Sequence, residues 1–265
     1  MRTFLFYAHF GLVVLAWFVV SMAFTLLALP MWGSPRLASW YGHSMSVVAM
    51  RLFGVRVDVR HRERLRASQP CVYVVNHQSN LDFLFLGTAF PPKTVIIAKR
   101  EVAWIPLFGL LFMATRNILI DRRVHTKAIA GLDLAVSALQ TRGDSIWIFP
   151  EGTRNRTGER LGRFKKGAFH MAIAAQVPVV PIVVSPMADN LDFQAKRVRG
   201  GTCSIDVLEA LPTTGLAAGD VEQLLARTHA AMWQGLEAMA GPAAASDVPG
   251  DEPGAPLPTP TDLPA

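Results

Sequence analysis

A chain of 265 residues can bury one good core, or one core with an appendage. Its 51% hydrophobic content is high for a soluble domain, and its two cysteines, Cys71 and Cys203, exclude a disulfide scaffold and suit a reducing compartment. The formal charge is +6, but the segment from 241 holds Asp247, Asp251, Glu252 and Asp262 and no lysine or arginine, so the rest is more basic still. Such a surface attracts nucleic acid, anionic headgroups or phosphorylated small molecules.

From Phe4 to Leu29 the chain is almost continuously apolar, broken only by His9, Gly11, Ser21 and Thr25. As a helix it would measure about 39 Å, enough for a hydrocarbon core of ~30 Å. It is longer than a signal-peptide core, one arginine leads it, and no clear A-x-A site follows, so a retained membrane anchor is expected. Arg36, Arg51, Arg56, Arg60, Arg62, Arg64 and Arg66 come after it and only Arg2 before it. The positive-inside rule then puts the remainder on the cytoplasmic side of the inner membrane.

Residues 37–53 place Leu37, Trp40, Tyr41, Val48 and Leu52 near one helical face, which suits a helix on the bilayer surface or one packed on the core. Strands are expected at 55–60, 71–75, 94–98, 117–120, 145–149, 179–184 and 203–208, with helical patterns near 81–89, 124–141, 167–176 and 220–239. The alternation predicts an α/β fold: a mostly parallel sheet flanked by helices, preceded by an N-terminal membrane-anchoring helical segment. The division expected is an anchor and interfacial helix over 1–54, an α/β domain over 55–240 and a disordered Pro/Ala-rich tail over 241–265.

Polar motifs fall at strand ends, where α/β sheets gather their ligands. "CVYVV" runs into "NHQSNLD", residues 76–82. Ser79 and Asp82 fit a capping box, which would leave His77 an ordinary strand-end residue. The same turn would also bring Asp82 to one imidazole nitrogen and leave the other free as a general base. No G-x-S-x-G elbow is present, so Ser79 is a poor acyl-forming nucleophile, and a base here would activate a hydroxyl of the substrate. These residues by themselves fit either reading.

"IFPEGTRNRTG" (148–158) ends another strand. Gly152 lets the backbone approach a ligand, and Arg154 offers a planar fork for phosphate. Arg156, Arg160, Arg163, Lys165 and Lys166 read as a solvated basic loop. Glu151 could orient an arginine, cap the turn or touch a substrate hydroxyl. In 106–123 an apolar run is either core or a surface for an acyl chain, with Leu110, Leu111 and Phe112 expected in the core. Arg122, just past "NILI", would be a second phosphate ligand if its strand end lies beside Arg154.

With these stretches assembled, the sequence resembles the glycerolipid acyltransferase family, and within it the lysophosphatidic acid (1-acylglycerol-3-phosphate) acyltransferases. Four blocks occur in the family's order: H-x-x-x-x-D from His77 to Asp82, "GLLFMATRNILIDR" ending at Arg122, "FPEGTR" ending at Arg154, and "VPVVPIVV" over 177–184. The resemblance covers about residues 55–210. It implies that His77 is the base and Asp82 its orienting partner, and that Arg122 with Glu151, Gly152, Thr153 and Arg154 forms the acceptor's phosphate site. It further implies acyl-CoA or acyl-carrier protein as co-substrate, no other cofactor and no metal. The partners implied are a lysophospholipid acceptor and membrane lipids, without nucleic acid, and the product is phosphatidic acid. Competing expectations are acylation of another lyso-lipid (a lyso-aminolipid or a different lysophospholipid), a lipid hydrolase using His77 to activate water, and a non-catalytic module binding anionic lipid.

Overall fold

The computed structural model describes residues 2–28, 30–79, 81–121, 125–155, 160–192 and 195–240. The tail expected from 241 therefore lies outside the described residues. In chain order the elements are α1 (Arg2–Ala28), α2 (Pro35–Leu52), β1 (Val55–Arg60), α3 (Arg64–Ala67), β2 (Val72–Val75), α4 (Asp82–Leu86) and β3 (Thr94–Lys99). There follow a 3-10 turn (Arg100–Trp104), α5 (Phe108–Ala114), β4 (Ile118–Ile120), α6 (His125–Ser137), β5 (Ser145–Ile148) and α7 (Gly167–Ala175). The chain continues with β6 (Val179–Val184), a hairpin of β7 (Leu191–Asp192) and β8 (Arg197–Val198), β9 (Gly201–Val207) and α8 (Val221–Ala240).

Seven strands form one sheet in the order β1-β9-β6-β2-β5-β3-β4. The run from β6 to β4 is parallel throughout, and β9 joins β6 antiparallel while pairing parallel with β1. The expected mostly parallel sheet is thus present, with β1 and β9 reversed as a pair. Strands such as "VYVV" and "VVPIVV" are buried along their whole length, as strands covered on both faces must be. Pro181 sits inside β6, and its carbonyl accepts from Leu208 N–H just where the β9 ladder ends. Its missing donor therefore falls where that ladder stops.

Side chains alternate across the sheet. Val72, Val74, Val95, Ile97, Ile146 and Ile148 join one hydrophobic cluster with α6, α7 and α8. Tyr73, Val75, Ile96, Trp147, Val180 and Ile182 join the other with α1, α2, α4 and α5. On this second side α2 and α4 cross at Gly42 and Gly87, where a Cβ on Gly87 would lie 2.0 Å from the Gly42 carbonyl oxygen.

Helix α1 lies along the domain, packed on α2, α5 and β8. Ser21 Oγ shares a buried 2.7 Å hydrogen bond with Tyr41 Oη of α2, and Lys196, beside β8, holds its ammonium 5.6 Å from the Tyr7 ring centre. Its outer face is bare hydrocarbon: Phe4, Leu15, Phe18 and Leu26 are exposed. Helix α2 packs on the core through Leu37, Tyr41, Met45 and Ala49, an i, i+4 series. Trp40, expected on that face, is exposed instead, because its position is one residue off the buried stripe. Leu111 and Phe112 of α5 are buried as expected, whereas Leu110 is exposed on the opposite side of that helix. Cys71 and Cys203 are buried free thiols, their pKa values pushed up by burial to about 12 and about 11, which suppresses the reactive thiolate.

Candidate active site

The carboxyl ends of β2, β5, β3 and β4 lie side by side and deliver the polar residues in one row. His77 follows β2, residues 149–154 follow β5, Lys99 ends β3, and Asp121 follows β4. Parallel pairing of β3 with β4 sets Lys99 opposite Ile120.

The turn carrying His77 is fixed on the β6 side by two amide side chains. Asn76 extends the ladder, its Oδ1 accepting from Val184 N–H at 2.9 Å and its Nδ2 donating to Val184 O at 3.1 Å. Gln78 donates to the carbonyls of Val184 and Ser185 and accepts from Met187 N–H. Nothing in the periodicity singles these two out. Their signal is that a buried strand ends on polar side chains able to continue its hydrogen bonding.

Asp82 is the first residue of α4, whose N-cap position is Leu81 rather than the expected Ser79 and carries no side-chain capping bond. Its Oδ2 accepts from His77 Nδ1 at 2.7 Å and from Gln78 N–H at 2.8 Å, while Oδ1 accepts from Ser79 N–H at 3.0 Å. Ser79 Oγ in turn accepts from Leu81 N–H at 3.2 Å. Asp82 thus ties the turn over 78–79 and the His77 ring together through one carboxylate. Because a carboxylate accepts, the shared proton sits on Nδ1, and the neutral ring presents Nε2 as a lone-pair acceptor.

The block after β5 wraps the same histidine. The Phe149 ring stacks on the imidazole, with centres 4.1 Å apart and planes 19° from parallel. Asn155 N–H donates to His77 O at 2.9 Å. Glu151, buried, accepts from His77 N–H through Oε1 at 2.8 Å and from Gly162 N–H through Oε2 at 3.0 Å. Burial raises the pKa of this carboxyl, opposed by the two N–H donors. In the structure each Glu151 oxygen thus accepts one backbone N–H. Gly152 makes the tight turn at φ +73°, with its N–H on Phe149 O.

A cavity of about 950 Å³ opens at this row. Its polar lining includes His77, Ser79, Asp82, Lys99, Glu101, Gly152, Thr153 and Arg154 at the strand ends, with Thr115 and Asn117 besides. Its apolar lining comes from the sheet face and the helices over it: Trp147, Ile96, Met45, Phe90, Phe108 and Trp17 among others. Arg154 has no ion-pair partner among the described residues. Lys99, one residue past the strand expected over 94–98, adds a second cation to the lining. Arg122 lies outside the described residues, as does Arg156. Arg163, Lys165 and Lys166 are exposed, and Lys166 pairs with Glu222. Among the described residues no group of three or more His, Cys, Asp and Glu side chains could hold a metal ion.

A family model described as acyltransferase matches residues 56–185. The 1-acyl-sn-glycerol-3-phosphate acyltransferase of Escherichia coli K12 is 35% identical over 201 residues, covering 76% of this chain and 80% of that protein. This chain belongs to the acyltransferase family. Another member, human 1-acyl-sn-glycerol-3-phosphate acyltransferase alpha, is 42% identical over 181 residues and 68% of this chain. The chain spans a little under two thirds of the alpha relatives, 64% of the human protein and 63% of the bovine one. The crystal structure of the 1-acyl-sn-glycerophosphate (LPA) acyltransferase PlsC from Thermotoga maritima has the same fold, with a TM-score of 0.74 at 20% identity, over 91% of this acyltransferase and 98% of that chain.

Proposed function

We propose that this acyltransferase moves an acyl group from acyl-CoA or acyl-carrier protein to the sn-2 hydroxyl of lysophosphatidic acid, giving phosphatidic acid. The observation that carries the reading is His77, tied through Nδ1 to Asp82 at 2.7 Å and lining a largely apolar cavity that Arg154 also lines. Nε2 takes the proton of the acceptor hydroxyl as its oxygen attacks the thioester carbonyl. The tetrahedral intermediate then collapses by breaking the carbon–sulfur bond, and the imidazolium returns the proton to the departing thiolate. Asp82 stabilises the imidazolium between these steps and keeps the ring in one tautomer. Arg154, with Lys99 and Arg122, holds the acceptor's phosphate. The names of the relatives support the acceptor.

The donor is water-soluble, so its acyl chain needs shelter while it reacts. The cavity supplies that, with the thioester at His77. The acceptor's own chain stays in the bilayer. Helix α1 is held along the domain by α2, α5 and β8, and its outer face exposes Phe4, Leu15, Phe18 and Leu26. That arrangement favours burial of the face in one leaflet over a crossing of the bilayer. The arginines following α1 favour the cytoplasmic leaflet.

The test incubates the membrane-embedded protein, and a His77→Ala variant, with lysophosphatidic acid and radiolabelled acyl-CoA. Label should reach phosphatidic acid with the wild type and not with the variant. Label released as free fatty acid without acceptor would identify a hydrolase. Label passing only to a lyso-aminolipid or another lysophospholipid would move the phosphate assignment. Label that stays in every donor tried, the carrier-protein thioester included, would leave a lipid-binding module.

A further inference from the structure

Glu151 does not line the cavity, although Gly152, Thr153 and Arg154 directly after it do. The residue is 4% exposed and both carboxylate oxygens are engaged by backbone N–H groups, one of them that of His77. We propose that Glu151 is a positioning residue for the base: it fixes the His77 backbone, and through it the direction of Nε2, and joins that backbone to the segment at Gly162. The inference rests on the transfer reaction proposed above, in which Nε2 must meet a hydroxyl in a defined place.

The argument is geometric. The His77 ring is oriented by Asp82 at Nδ1 and by Phe149 across its face, but a side chain points where its Cα lets it point. Glu151 holds the N–H on one side of that Cα and Asn155 N–H holds the carbonyl on the other, at 2.8 and 2.9 Å. Without Glu151 a part-buried N–H loses its acceptor and the strand end turns to find another. A displacement of about 1 Å at a catalytic group costs on the order of 10²-fold in rate. Only a carboxylate serves here, because two N–H donors converge on one side chain. A glutamine in its place offers one oxygen, and its NH2 faces the remaining donor.

Gly162 belongs to the same device. A Cβ there would lie 2.3 Å from Glu151 Oε2, so any larger residue must push the carboxylate off its position. Loss of the Glu151 contact is therefore expected from two different substitutions, one of them at a residue that does not line the cavity and carries no functional group.

The experiment compares the full chain with Glu151→Gln and Gly162→Ala in vesicles, varying lysophosphatidic acid at saturating acyl-CoA. Thermal unfolding confirms that each variant is folded. The expected result is a fall in kcat on the order of 10²-fold in both variants, with KM for the acceptor within about twofold of the wild type. A raised KM with kcat kept would return Glu151 to the substrate, and unchanged kinetics in Glu151→Gln would remove it from the machinery; either overturns the proposal. An NMR readout needs no acceptor. The His77 amide proton, bonded to a carboxylate, should resonate at low field, persist in His77→Ala and move upfield in Glu151→Gln. An amide signal that does not move in Glu151→Gln overturns the tether whatever the acceptor proves to be. Absence of transfer by the wild type bears on the reaction alone.

Discussion

The two faces of the sheet are built from the same strands and finished differently. On one face α6, the residue after it and α7 bring small residues (Ala135, Ala138, Ala168, Ala172) into one cluster with Val72, Val74 and Ile146, and all seven are 0–1% exposed. On the other face α2 and α4 touch at Gly42 and Gly87, and beside that crossing the helices stand off Trp147 and Ile96 to leave about 950 Å³. Both faces carry a buried apolar cluster, but the ligand volume lies on the second, open one, which is also the face that carries α1. A fold of this kind assigns its ligand volume to one face by no more than the parity of residues along a strand.

The largest expected effect is chemical and belongs to the open face. His77→Ala removes the base at its rim and should lower kcat by about 10²–10⁴-fold, with thermal stability nearly unchanged, in a steady-state assay paired with a melt. Arg154→Ala comes next. Loss of a charge-assisted contact to phosphate, at about 1.5–3 kcal/mol, should lower kcat/KM for lysophosphatidic acid by roughly 10–150-fold, chiefly through KM.

On the closed face the effect is energetic. Phe169 is fully buried against Phe164, and Phe169→Ala should destabilise by about 3–5 kcal/mol in a denaturant titration while leaving KM unchanged. Phe108→Ala, on the cavity wall, should lose distinctly less, because that ring already borders empty space, and should shift acceptance toward bulkier acyl chains in a competition assay. Equal destabilisation at the two sites would contradict the contrast between the faces.

The smallest effect concerns pH. Burial raises the Glu151 pKa, with His77 and Asp82 the titratable groups facing it. In the folded chain this carboxyl then holds its proton to higher pH than in the unfolded one. Its contribution to stability is therefore lost as pH rises from the ordinary carboxylate range through the raised value. The slope should disappear in Glu151→Gln, as read by melts across that window.

Much of this was legible in the sequence for physical reasons. Strands buried on both faces are continuous apolar runs, and "VYVV" and "VVPIVV" announce themselves in that way. His77 and Asp82 were legible because a polar pair at the end of such a run needs a reason. The reversal of β9 was not, since its alternation is the same in either direction. The turn at Arg100–Trp104 and the β7–β8 hairpin are too short for periodicity to show. The bonding of Glu151 was not legible, because a motif states which residue types are present, not which way a carboxylate turns; here it turns to two backbone N–H groups. Lys99 was not legible as a site residue, because its place in the cavity depends on which strands are neighbours.

The measurement that bears most directly on this reading is photolabelling with an acyl-CoA carrying a diazirine at the end of its chain, followed by mapping of the modified residues. Labels on Met45, Phe90, Phe108 or Trp17, lost when unlabelled acyl-CoA competes, are the predicted result. Labels on α7 or α8, or only on the outer face of α1, would place the acyl chain elsewhere and contradict the assignment of the cavity.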